Sequence, residues 1–205
     1  MTIAATAWGG EILDRIAVTV GKQVITESDV LRDLRVSAFI DRKPVDLSGA
    51  EKRKAADRLV DQILILEEAR FSRIPLPAAE DAARMLAAVK QEYGSDAEYQ
   101  AALKRYGVAD ADVASSLLAG FRALRFTDLR FRPEIEITDA DLQDSYNALV
   151  EKWRAAGEPK IPTFDESRDD VEKLLTSQRT AQALDRWLGA QRTETQILYR
   201  EQVFK

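Results

Sequence analysis

The order of apolar and polar positions divides the chain into a short extended start, a long helical middle and a short extended end. Ile16, Val18 and Val20 alternate with Ala17 and Thr19, the period of two expected of a strand with one covered face. Gly21-Lys22 supplies a two-residue connection in which glycine can take a positive φ. Gln23-Val24-Ile25 then returns as a second strand. Ile12–Thr26 is therefore a predicted β-hairpin, and an isolated hairpin is marginal in water, so a helix or a further strand must cover it. Thr195–Tyr199 reads as a strand again. Pairing it with the hairpin would bring the two ends of the chain together.

The middle is written at helical spacing, with marked starts. Thr26-Glu27-Ser28-Asp29, Ser48-Gly49-Ala50-Glu51, Ser95-Asp96-Ala97-Glu98 and Thr138-Asp139-Ala140-Asp141 each set an acid three residues after a hydroxyl. The hydroxyl can accept from the third amide while the acid reaches back or favours the positive helix end. The two Glu cases match the capping box, and the two Asp cases are the weaker form. Apolar stripes follow: Val30, Leu31, Leu34 and Ala38; Leu59, Ile63, Leu66 and Ala69; Ala82, Met85, Leu86 and Val89; Val113, Leu117, Phe121 and Leu124. Pro133 ends the last of these. Ile74-Pro75-Leu76-Pro77 links two helices, and Gly157–Phe164 has the composition of a linker. A final helix from about Asp165 to Gln191 carries Val171, Leu174, Leu175, Ala181, Leu184 and Leu188 as its seam. The expected fold is mainly α, about six helices, with a small β-sheet formed by the N-terminal hairpin and the C-terminal strand.

The 205 residues contain 45% apolar and 32% charged side chains, enough to bury a core beneath a densely charged surface. Residues 11–205 are expected to form one domain, with a core at 11–157, a linker at 158–164 and a closing helix and strand at 165–205. The net charge of −5, with both signs interleaved, gives no clustered basic face for a phosphate backbone, so nucleic acid is not an expected partner. Absence of both His and Cys removes Cys nucleophiles, His-based dyads, thiol chemistry and nearly all zinc sites. No run of about 18 apolar residues exists to span a bilayer. Met1–Gly10 is small and apolar. Its Ala5-Thr6-Ala7 has the small-x-small form of a signal-peptidase site, without the basic and apolar regions of a signal before it. A flexible tail and a remnant of an export signal both fit.

Three carboxylate pairs, Glu67-Glu68, Asp139-Asp141 and Asp169-Asp170, sit at helix starts or on charged faces. Acid/base work needs an apolar pocket that separates two pKa values; these positions suit solvation and the helix dipole. No catalytic residue, metal or cofactor is expected. Helix Ala111–Arg132 is different. Beyond its core stripe it carries Phe126, Leu129 and Phe131 around much of its circumference, interleaved with Arg122, Arg125, Arg130 and Arg132. A helix apolar on more than one face packs against two things. Either it is the central helix of a bundle, or its second face meets a client. Phe121, Leu124, Phe126, Leu129 and Phe131 are the candidate peptide-binding residues on the second reading.

The stretch ILDRIAVTVGKQVITESDVLRDL resembles the opening of SurA-type periplasmic chaperones, a strand of the form D-x-[IV]-x-A-x-V, a tight turn, then V-I-T-x-S-D into a helix. Asp14, Ile16, Ala17, Val18, Val20, Val24, Ile25, Thr26, Ser28 and Asp29 fit that pattern. Leu59–Ile65, Ile135–Leu142 and Ala183–Leu188 with Gln191-Arg192 are similar to later parts of the same module. Larger members carry parvulin-type prolyl isomerase domains where this chain has only Glu151 to about Ser167, too short for one. The resemblance implies a non-catalytic periplasmic holdase for unfolded polypeptides, outer-membrane protein precursors among them, open to self-association. A dedicated assembly partner of the cell envelope and a prolyl isomerase are the rival expectations.

Overall fold

The computed structural model describes residues 14–205. The N-terminal tail, with Trp8 and the Ala5-Thr6-Ala7 site, and the first residues of the hairpin segment lie outside them. The described chain is mainly helical, with seven α-helices and one three-stranded sheet, the expected class with one helix more than expected. In order it runs β1 (Ile16–Val20), β2 (Gln23–Thr26), α1 (Glu27–Asp41), α2 (Gly49–Phe71), α3 (Ala79–Gln91), α4 (Asp96–Tyr106), α5 (Asp110–Arg130), α6 (Asp139–Ala155), α7 (Phe164–Glu194) and β3 (Ile197–Tyr199). A last 3-10 turn covers Glu201–Phe204.

The sheet has the order β2-β1-β3, antiparallel throughout, so the terminal strand does pair with the hairpin. Gly21 takes the predicted positive φ, at 55°. A register irregularity between Ile16 and Val18 breaks the expected alternation: Ala17, Val18 and Val20 are fully buried while Ile16 is exposed.

The caps reverse the expected ranking. Thr26 and Asp29 form a full box, Thr26 N donating to Asp29 Oδ2 at 3.0 Å and Asp29 N to Thr26 Oγ1 at 3.2 Å. Thr138 and Asp141 repeat it. At the Ser95 start, by contrast, the Glu98 carboxylate accepts from Gly94 N, and at the Ser48 start Glu51 takes the Lys54 ammonium. The shorter Asp side chain stays over its own cap, whereas these two Glu side chains reach past it. A third full box, not foreseen from the sequence, opens α7, and there a Glu does stay over its cap: Thr163 N donates to Glu166 and Glu166 N to Thr163 Oγ1.

The chain separates into two compact units, divided within α2 and again within α5. The first takes in the described residues up to Ile63, with Ala79–Leu118 and Thr195–Lys205. Besides the sheet, its interior holds Val36, Phe39, Tyr99, Leu103 and Val113. Phe39 lies edge-on to Tyr99 and Tyr106 at 6.0 and 5.8 Å between centroids. Tyr99 Oη donates to Asp110 Oδ1 at 2.6 Å, and Lys90 Nζ donates to Asp110 Oδ2 at 2.6 Å.

The C-terminal turn is fastened to the start of α2 in this unit. The Arg53 guanidinium stacks 3.6 Å from the Tyr199 ring centre and pairs with Glu201. Tyr199 Oη donates to Asp57. Gly49 is needed there, because a Cβ would stand 1.8 Å from the Phe204 carbonyl oxygen.

The second unit comprises Leu64–Ala78 and Ala119–Glu194. Its core is Ile65, Ala69, Phe126 and Phe131, with Leu184, Trp187 and Leu188 of α7 packed on it. Helices α6 and α7 form a hairpin. Arg179 donates to Glu136 O at 2.7 Å and pairs with Asp141, while Arg168 pairs with Asp139. Buried Ser167 and Thr180 are satisfied by carbonyls four residues back, at 2.9 and 2.7 Å.

Candidate functional site

The candidate set on α5 divides by burial. Phe126 and Phe131, candidates for a client-facing surface on one of the two readings of this helix, are core, as the other reading has it. They are 0% and 5% exposed, packed on each other at 5.8 Å and on Trp187 at 5.2 and 6.1 Å. A side chain with rings on its faces has no surface left for a partner. Leu129 is half-buried. Phe121 and Leu124, one turn earlier, are 40% and 67% exposed.

These two line a cleft of about 500 Å³ in the second unit, together with Pro75, Leu76, Pro77, Arg125 and Asp128. Its two walls are the α2–α3 connection and the solvent side of α5. Arg122 Nε ties them by donating to Pro77 O at 2.9 Å. Pro75 and Pro77 have no amide hydrogen, so this wall cannot extend a backbone ladder along its length. What the cleft offers is apolar contact. Burying one aliphatic or aromatic side chain there is worth about 1.5–3 kcal/mol.

The rim is polar. Asp128 pairs with Arg132 at 3.8 Å, while Arg125 has no ion-pair partner among the described residues. Phe71, which ends α2 only a few residues before this connection, is 87% exposed.

Neither Phe71 nor the Pro75–Pro77 wall was singled out from the sequence. The prolines read as a plain connection. The available signal was the run of apolar residues in that connection, which a solvated link does not need.

The carboxylate pairs are engaged structurally. Asp139 and Asp141 hold Arg168 and Arg179, Glu68 accepts from Ser72 Oγ at 2.6 Å, and Asp170 pairs with Lys173 at 3.3 Å. The Arg179 hydrogen bond, with those from Thr138, holds the Asp141 carboxyl well below the usual carboxylate range. The Lys90 and Tyr99 hydrogen bonds lower Asp110. Burial pushes the Tyr99 phenol up, reinforced by the Asp110 carboxylate. Asp33, paired with Arg58, is raised because desolvation outweighs the guanidinium.

Among the described residues no group of three or more acidic side chains is placed to hold a metal ion. No helix among them is long and apolar enough to cross a membrane. Compared with known proteins, the chain matches no protein-family model and no curated protein.

Proposed function

We propose that the protein is a non-catalytic holdase that binds unfolded polypeptide segments by their apolar side chains in the Phe121–Leu124 cleft. The observation that carries this reading is the cleft itself. Two large apolar side chains on α5 stay in solvent opposite a proline-walled connection, with charge confined to the rim. Exposed apolar surface rimmed by polar groups marks a binding site for apolar partners.

The resemblance of Asp14–Asp29 to the opening of SurA-type chaperones supports the same reading, and with it a periplasmic setting and outer-membrane protein precursors as clients. A holdase gains from weak contact. One or two side chains buried at a time give affinities that leave release spontaneous, and several such contacts along one chain raise avidity.

The test is suppression of aggregation of two unrelated, chemically unfolded proteins. The wild type suppresses both at a few-fold molar excess, and Leu124→Asp loses most of that effect while melting at an unchanged temperature. If unrelated clients aggregate at the same rate with and without the protein, the holdase reading fails and a dedicated assembly partner takes its place. Acceleration of proline-limited refolding at catalytic stoichiometry would contradict the non-catalytic part.

A further inference from the structure

A second cleft, in the sheet-bearing unit, has different chemistry. It holds about 580 Å³ above the aromatic cluster, between the end of α1 and the solvent side of α4. Ala101 and Ala102 keep its floor low, and the rings of Tyr93 and Tyr106 form its aromatic wall.

Its polar groups are mostly donors. Arg42 lies over the Tyr93 ring at 5.3 Å and shares its charge with Glu92, 3.2 Å away. Arg105 lies 5.9 Å from the Tyr106 ring centre and has no ion-pair partner among the described residues. The hydroxyls of Tyr93 and Tyr106 make no hydrogen bond to another described residue. The one carboxylate lining the cleft, Glu98, already accepts the Gly94 amide at 3.2 Å and sits in the first turn of α4. The helix end compensates its charge.

The uncompensated groups are therefore a guanidinium and two phenol donors beside an apolar floor. A purely apolar occupant leaves all three donors unanswered, and a basic occupant meets Arg105 and Arg42.

We propose that this cleft docks a polypeptide segment bearing an acidic side chain next to an apolar one. The carboxylate takes the Arg105 guanidinium and the apolar neighbour lies on Ala101 and Ala102. Such a site adds sequence preference that the Phe121–Leu124 cleft, built of apolar contact, does not supply. It stands independently of that cleft.

Fluorescence anisotropy of short dye-labelled peptides, blocked at both ends, tests it. An Asp-Leu peptide should bind about tenfold more tightly than its Asn-Leu counterpart, the scale of one charge-assisted hydrogen-bonded pair. Arg105→Gln should erase that preference, and Leu124→Asp should leave it intact. Because Arg105 is exposed and unpaired, its replacement leaves the fold in place, as a melting curve will verify. Equal binding of the Asp and Asn peptides overturns the proposal. So does a preference that survives Arg105→Gln or disappears with Leu124→Asp, and so does an Asn-Leu peptide with a free C-terminal carboxylate that binds as well as the blocked Asp-Leu peptide.

Discussion

In the sheet-bearing unit residues 195–205 are used to close surface, whereas in the helical unit the same kind of surface is left open. The first unit draws residues 195–205 back onto β1 and the start of α2. Among its described residues the exposed large apolar ones, Ile16, Val24, Ile40, Leu47 and Leu198, are each only 40–48% accessible. The second unit has no such strap within its own residues. It leaves Phe71 and Leu124 at 87% and 67%. Both units have aromatic cores, so the difference does not come from a shortage of material to bury. It comes from how the helical unit uses its part of α5: Phe126 faces inward, and Phe121 and Leu124 face water.

The largest expected effects separate the two cores. Phe126→Ala removes the ring at the centre of the helical unit's cluster and should cost about 3–5 kcal/mol in denaturant unfolding. Hydrogen exchange should then lose protection first in α7 and the second half of α5. Equal loss in the sheet would show that the units do not open separately. Gly49→Ala attacks the strap. Its Cβ must displace the Phe204 carbonyl, at a cost of about 1–3 kcal/mol, and exchange should rise at Ile197–Tyr199. Unchanged protection there would mean that the turn is not what fastens the terminal strand.

Arg179→Gln is a smaller and pH-dependent test of the α6–α7 hairpin. The folded pKa of Asp141 is lowered, chiefly by Arg179. Its contribution is therefore present above the unfolded value of about 3.9 and is lost as pH falls through the folded value. The stability gap between wild type and variant should shrink as pH drops from about 5 towards 2. Asp33, raised by burial, tilts stability the opposite way, but it is common to both proteins and cancels in the difference. A gap that is constant with pH contradicts the pairing. Leu124→Asp should have the smallest effect on stability, within about 0.5 kcal/mol in a melting curve. A larger loss would move Leu124 from the open face into the core.

Much of the architecture was legible because it is local. The hairpin turn at Gly21 and the helix starts at Thr26 and Thr138 depend on residues within a few positions of one another; the closing strand was legible as a strand, although its partner β1 is distant in sequence. What escaped was set by distance in sequence. Helical period marks Phe126 and Phe131 as apolar, but only the arrival of Trp187 from α7 decides that they are core and that Phe121 and Leu124 are not. Tyr99, Leu103 and Tyr106 do lie at helical spacing on α4, but nothing local shows that Phe39 of α1 and Tyr93 of the preceding loop complete their cluster. Ile16 was misplaced by one irregularity of register, which period-two reading cannot see. The strength of the Asp caps was underrated because residue class does not decide whether the box closes: Asp29, Asp141 and Glu166 close it, while Glu51 and Glu98 are drawn to other partners.

The contrast between a strapped unit and an open one is tested most directly by site-specific photo-crosslinking. A benzophenone side chain is placed at Leu124, at Phe71 or at Leu198 on the sheet, and each protein is mixed with an unfolded client and irradiated. The account predicts strong client adducts from position 124, competed away by a second unlabelled unfolded protein, and weak ones from position 198. Adducts of equal yield at 124 and 198, or none at 124, would contradict it.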